Sequence, residues 1–259
     1  MLVDSHCHLD FSEFDATLDT VIRDAHAADV RYMLAISARR SQLDKVRQIT
    51  RDNDGIFFAA GTHPLHIQEE IPYNVEELQA MATDDKMIAI GETGLDFHYK
   101  KDTAEQQFSS FLNHIKAAQT TNLPLVIHAR NADDAMGDIL KKEYQRKPFA
   151  FVLHCFSSEK RLAEIAVDCG AFLSMSGIVT FSKSNDIREV FSEIVPIDRV
   201  LVETDSPYLA PAPMRGRRNE PAFVQYVAQK GAEIYGMDYK EFCHKTTENF
   251  FDLFTKAKK

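Results

Sequence analysis

The chain has 259 residues, 44% of them hydrophobic and 27% charged, the balance of an ordinary globular protein. Its formal net charge of −9 excludes an extended basic face for gripping duplex DNA by its phosphates, and no apolar run approaches the ~18 residues of a membrane span. Four cysteines without a CxxC pair, and no basic-then-apolar leader pattern, point to a cytoplasmic protein with reduced thiols.

The first predicted strand is "LVDSHCH", starting at Leu2. Strand side chains alternate between faces, so His6 and His8 share one face and Cys7 takes the other. A helix follows, with Leu18, Val21, Ile22 and Ala25 along one stripe. Further apolar runs are "VRYMLAIS" from Val30, "IFFAAGTHP" from Ile56 and "MIAIGETGLD" from Met87. Thr103 and Gln106, at capping-box spacing, open a helix with Phe108, Phe111, Leu112 and Ile115 on its apolar face. "PLVIHAR" from Pro124 and "FAFVLHCF" from Phe149 come next, then a helix carrying Leu162, Ile165 and Ala166 that closes at Gly170. "GAFLSMSG" from Gly170 and "RVLVETDSPY" from Arg199 complete the runs. Asp238 and Glu241 start a last helix with Phe242, Phe250, Leu253 and Phe254.

Near-continuous apolar runs alternating with amphipathic helices read as parallel strands buried on both faces. Eight such units predict an α/β fold, a single-domain (β/α)8 TIM barrel over residues 1–259 with C-terminal helices. The competing open doubly wound sheet wants a glycine-rich phosphate loop after its first strand, and "HCHLD" occupies that place.

A barrel gathers its reactive groups at the C-terminal ends of its strands. There the runs carry His6 and His8, His63, Glu92, His128, His154 and Asp205. The other five of the ten histidines (His26, His66, His98, His114 and His244) lie in helical or loop stretches and are expected to be solvated. Imidazoles and carboxylates together suit divalent transition metals. His6, His8, Glu92, His128, His154 and Asp205 are too many for one four-coordinate ion but suffice for two divalent cations if one carboxylate bridges. Glu92 is the natural bridge, because its strand lies between the first and the fifth and sixth. Alternation turns Cys7 and Cys155 away from their neighbouring histidines, as buried small apolar groups.

"VDSHCHLD", "GTHP", "GETGLDF", "PLVIHAR", "LHCFS", "SGIVTF" and "ETDSPYLAP…RGRRNEPA" resemble, in order, the signature stretches of the TatD-related metal-dependent hydrolases and deoxyribonucleases. These belong to the wider amidohydrolase-like barrels, and the likeness runs from residue 3 to about residue 250. The resemblance implies one cation held by His6, His8, Glu92 and Asp205, and a second by Glu92, His128 and His154. Related barrels often bridge their metals with a carboxylated lysine; here Glu92 fills that place.

Two cations acidify a water and clamp the attacked group. Asp205 is then the expected proton acceptor, with Glu92 bridging, and His63 either donates to a developing oxyanion or caps its own loop. Arg130, two residues after His128, points to the same side and matches a phosphate; a salt bridge at the rim is the alternative. The family pattern also carries over for Arg215, Asn219 and Pro221 as loop elements near the site, with Arg215 expected to bind substrate phosphate beside Arg130, whereas Arg217 and Arg218 read as a solvated run. Tyr208, Phe97, Tyr99 and Phe156 are candidate stacking faces for a splayed base. The leading expectation is a two-metal deoxyribonuclease or exonuclease acting on nucleic acid, the preference for single-stranded DNA coming from the resemblance. Zn2+, Mn2+ and Mg2+ are all candidate cations. A hydrolase of C–N or ester bonds in a small molecule would use the same centre, and a scaffold on a retired barrel would be expected to have lost some of the six ligands.

Overall fold

The structure, a computed structural model, describes residues 1–257. Eight strands run parallel and pair in chain order: β1 (Leu2–Cys7), β2 (Val30–Ser37), β3 (Ile56–Ala60), β4 (Met87–Asp96), β5 (Leu125–Arg130), β6 (Phe151–Leu153), β7 (Phe172–Met175) and β8 (Val200–Val202). The ring closes where the Asp205 N–H donates to the His6 carbonyl at 3.0 Å and the His8 N–H to the Ser206 carbonyl at 2.8 Å. The helices between the strands are α1 (Leu18–Ala27), α2 (Leu43–Asp52), α3 (Val75–Met81), α4 (Ala104–Thr121), α5 (Asp133–Arg146), α6 (Lys160–Asp168) and α7 (Asn185–Glu193). Two more, α8 (Val224–Tyr235) and α9 (Tyr239–Leu253), follow β8. This is the (β/α)8 barrel expected from the eight apolar runs. Among the described residues, no helix is long and apolar enough to cross a membrane.

Two cores hold it. Val3, Leu34, Phe57, Ile88, Val126, Val152, Phe172 and Leu201, one from each strand, fill the barrel interior. Phe250, Phe251, Leu253 and Phe254 join that cluster from α9 and its C-terminal edge, so the last helix plugs the barrel. The residues that alternate with the interior set, such as Met33, Ala35 and Phe58, pack outward against the helices.

Among the places where strict alternation fails, two shape the site. Val3 and Ser5 point into the barrel, Ser5 Oγ lying 3.4 Å from Ser174 Oγ on β7. Continued alternation would send Cys7 inward as well. Asp4 pairs with Met33, however, and Cys7 with Ala35, so β1 carries one extra residue there. That bulge turns His6 and His8 to the mouth and Cys7 outward, where its Sγ donates to the Leu34 carbonyl. A second bulge lies on β4, where Ile90 pairs with Leu125 but Thr93 with Ile127. It aims Glu92 at the axis although Ile90 packs outward. Gly91, at φ +126°, accommodates this bulge, since a Cβ there would lie 2.5 Å from the Val126 carbonyl oxygen.

Two helix expectations need correction. Thr103 is the N-cap of α4 but makes no cap hydrogen bond. Its hydroxyl donates to the Lys100 carbonyl and accepts from Gln107 Nε2 at 2.9 Å, so no capping box forms with Gln106. On the same helix Leu112 is 41% exposed, while His114 is fully buried. His114 earns its buried place by two hydrogen bonds: Nδ1–H donates to the Ser110 carbonyl at 2.7 Å, and Nε2 accepts the Thr62 N–H at 3.0 Å. Gly170, at φ +72° behind α6, and Asp238, which accepts from the Lys240 and Glu241 N–H groups, do end and start their helices as expected.

Candidate metal centre

At the C-terminal mouth of the barrel, Glu92 is buried and ringed by imidazoles. Its Oε1 lies 2.7 Å from His154 Nε2 and 3.2 Å from both His128 Nδ1 and His63 Nε2. Its Oε2 faces the other way, 3.5 Å from His6 Nε2 and 3.9 Å from His8 Nε2. Asp205 Oδ1 completes that second side, 3.6 Å from His6 Nε2 and 3.5 Å from His8 Nε2. One carboxylate thus faces two separate donor sets. Burial alone would push the Glu92 carboxyl up, but the surrounding His154, His63 and His128 hold it well below the usual carboxylate range. Asp205 is likewise held down, burial being outweighed by His8 and His6. Both stay anionic, as ligands must.

The donors fit divalent cations. Three groups could each hold an ion with ligand atoms within 4.8 Å of one another: His6–His8–Glu92, His6–His154–Asp205 and His63–Glu92–His128. His154 Nε2 and Glu92 Oε1 approach to 2.7 Å, and Nε2 makes no hydrogen bond. The far nitrogens of two imidazoles are backed by buried carboxylates. Asp96 Oδ2 lies 3.1 Å from His128 Nε2, and Glu203 Oε1 lies 3.4 Å from His154 Nδ1. The Asp96 hydrogen bond orients the His128 ring and leaves Nδ1 to face the mouth, whereas Glu203 lies beside His154 Nδ1 without a hydrogen bond. Neither Asp96 nor Glu203 was singled out from the sequence, although both stand inside quoted motifs, in "GETGLDF" and "ETDSPY". Their signal was a carboxylate near a strand end, two to four residues from a candidate ligand.

Of the two roles weighed for His63, the loop cap is formed. Its Nδ1 accepts the Leu65 N–H at 3.1 Å, which caps the following turn. The proton of the neutral ring is therefore on Nε2, aimed at Glu92 Oε1. Burial, opposed only in part by Glu92, pushes this imidazole down to about 4 and keeps it a neutral donor near pH 7.

The mouth opens into a cavity of about 450 Å3, which Arg130 lines together with Arg39 and His66. The Arg130 guanidinium lies over the Tyr99 ring, 4.6 Å from its centroid, and Arg39 pairs with Glu69 at 2.9 Å. Tyr208 and Tyr99 line the cavity, but Phe156 is a core residue 3% exposed and Phe97 packs against Phe108. Arg215 is not brought here. It packs over Phe181 at 4.1 Å, donates to the Ala210 carbonyl at 3.1 Å and lines a separate cavity with Lys183. The long segment after β8 carries it past the mouth. Asn219 braces that segment, its Nδ2 donating to the carbonyls of Thr204 at 2.8 Å and Tyr208 at 2.6 Å. Cys155 also departs from expectation: at φ +45° it leaves strand alternation and lines the cavity, its Sγ donating to Ser176 Oγ at 3.2 Å. Burial and the nearby Asp205 push that thiol well above its usual range. Of the five histidines expected to be solvated, His26, His98 and His244 are exposed, while His66 is partly buried at the cavity wall.

Comparison with known proteins gives a consistent picture. The family described as TatD related DNase matches residues 3–255. The chain is 40% identical over 256 residues to "Uncharacterized metal-dependent hydrolase YcfH" of Escherichia coli (strain K12), covering 98% of this chain and 95% of that protein. It is 32% identical over 259 residues to "3'-5' ssDNA/RNA exonuclease TatD" of Erwinia tasmaniensis, covering 98% and 99%. Among solved structures, YJJV, a TatD homolog from Escherichia coli K12, superposes with a TM-score of 0.90 at 25% identity over 98% of both chains.

Proposed function

The chain belongs to the TatD related DNase family, and is a metal-dependent hydrolase of it; from that premise we propose that it cleaves phosphodiester bonds of single-stranded nucleic acid. The observation that carries the reading is the two-sided Glu92 carboxylate beneath a mouth bearing two guanidinium groups, Arg39 and Arg130. One donor set is His6, His8, Asp205 and Glu92 Oε2; the other is His128 Nδ1, His154 Nε2 and Glu92 Oε1. Two divalent cations bound there (Zn2+, Mn2+ or Mg2+) would supply Lewis acidity, acidifying a water and neutralising charge on the attacked phosphate. Asp205 stays ionised at neutral pH and is the group to take the proton of that water. His63 Nε2–H faces the same space and stabilises the developing charge as a neutral donor. Arg130, its guanidinium 4.6 Å from the Tyr99 ring centroid, offers a planar fork to a phosphate, and Arg39, paired with Glu69, lines the same cavity. The exonuclease activity named for the Erwinia tasmaniensis relative agrees with this assignment.

The test incubates metal-replete protein with end-labelled single-stranded DNA and RNA oligonucleotides, and with a panel of amides and lactones. Asp205→Asn protein runs in parallel to exclude a contaminating nuclease. Cleavage of the oligonucleotides, lowered at least 100-fold in Asp205→Asn, is the expected result. Intact oligonucleotides with turnover of an amide or lactone would replace the reading by C–N or ester hydrolysis at the same centre.

A further inference from the structure

Only five large hydrophobic side chains are strongly exposed among the described residues: Met1, Ile71, Tyr99, Leu112 and Tyr208. Two of them are aromatic, Tyr99 at 59% and Tyr208 at 51% exposure, and both line the cavity over the metal centre. Their places in the barrel differ by half a turn. Tyr99 follows the end of β4 and Tyr208 follows β8, four strands away around a ring of eight. Each ring is propped by the protein rather than loose. Tyr99 carries the Arg130 guanidinium 4.6 Å from its centroid and the edge of His98 at 4.5 Å. Tyr208 meets Phe11 edge-on at 5.8 Å, and Phe11 itself lies against the ligand His8 at 4.7 Å.

Two propped aromatic rings on opposite rims, with Glu92 and Asp205 between and below them, do not suit a lone phosphate. They suit a phosphate with a flat group on either side. We propose that Tyr99 and Tyr208 form a two-sided base clamp, in which the scissile phosphodiester lies over the metal centre and its two flanking nucleobases stack one on each tyrosine. This rests on the phosphodiesterase reading and deepens it: the minimal good substrate is a dinucleotide unit with both bases unstacked from their neighbours. Duplex is excluded because paired bases cannot splay to opposite rims. Base identity is not discriminated, since every base offers a π-face. Tyr99 and Tyr208 are positioning residues, and they act through the bases rather than on the phosphate.

Four thymidine dinucleotides test this: both bases present, the 5′ base removed, the 3′ base removed, and both removed. Each is assayed with wild type, Tyr99→Ala, Tyr208→Ala and the two Phe variants. A stacking loss of about tenfold in kcat/KM is expected for each Ala variant on the intact dinucleotide. That loss should shrink when one particular base is removed, a different base for each tyrosine, and Phe at either position should restore the rate. The chain holds eight tyrosines and no tryptophan, so its tyrosine emission reports binding directly. A non-hydrolysable dithymidine with a bridging methylene should quench that emission in metal-replete wild type, less in each Ala variant, and least in the double variant. If the dinucleotides are cleaved but the tyrosine losses are equal with and without bases, or both tyrosines couple to the same base, the clamp is wrong and the phosphodiesterase reading stands. If neither the four dinucleotides nor labelled oligonucleotides are cleaved, the phosphodiesterase reading falls and takes the clamp with it.

Discussion

His128 and His154 are each backed by a carboxylate that never reaches the cavity: Asp96 and Glu203 are both 0% exposed. Removing the negative charge while keeping the shape should leave the fold intact and loosen the imidazoles as ligands. Asp96→Asn and Glu203→Gln are therefore each expected to weaken cation binding 10- to 100-fold, read by competition with a chromogenic chelator. Unchanged affinity in both would assign these carboxylates to packing alone. His114 makes a second residue-level prediction. Burial pushes its imidazole down to about 4, against 6.5 for an ordinary one, so the unfolded chain binds its proton first as pH falls. Its stabilisation is complete above pH 6.5 and is lost progressively down to about 4, amounting to about 3 kcal/mol. Urea unfolding of wild type and His114→Gln between pH 4 and 7 should show the difference in slope confined to that window.

The two bulges are where elements and site meet. Glu92 faces the axis because β4 gains a residue beside Gly91, whose φ of +126° and close approach to the Val126 carbonyl admit no side chain. Gly91→Ala should cost more than about 2 kcal/mol, lower the melting temperature by several degrees and weaken cation binding by displacing Glu92. Gly216→Ala is the contrast: φ there is +84°, but nothing lies within 4 Å, so only the cost of the backbone conformation, about 1–2 kcal/mol, is expected. Equal losses from the two substitutions would deny the crowding at β4. These bulges also mark where the sequence stopped being readable. The eight strands were legible because apolar runs buried on both faces have no other use at that length, and the six ligand candidates because they stand at the runs' ends. An inserted residue leaves no trace in such a run, since neither face is polar. His6 and His8 do converge, Nε2 to Nε2 at 3.4 Å, although the register shift between Asp4 and Cys7 includes His6. For Cys155 the same alternation failed, because β6 ends at Leu153 and the next residues are no longer strand. Arg215 was misplaced for a related reason: the segment after β8 has no periodicity from which to read a direction.

Taken as a whole, the molecule is acidic, with a formal charge of −9 and its cationic reach at the site limited to Arg39 and Arg130. Two phosphate contacts on a single strand give a slope of about −1.4 for log(kcat/KM) against log[salt]. A slope steeper than about −4 would require a longer electrostatic track than this surface offers. The ring's closure carries a further consequence. The hydrogen bonds that join the segment after the last strand to the first strand run through the backbone of three candidate ligands, from the Asp205 N–H to the His6 carbonyl and from the His8 N–H to the Ser206 carbonyl. A polypeptide still being synthesised exposes its paired imidazoles early, but the aspartate that completes them arrives only with the final strand. Under the proposed metal centre, a fragment that ends before Asp205 lacks a donor of the first set, and its hydrolysis is expected to fall to background in the oligonucleotide assay.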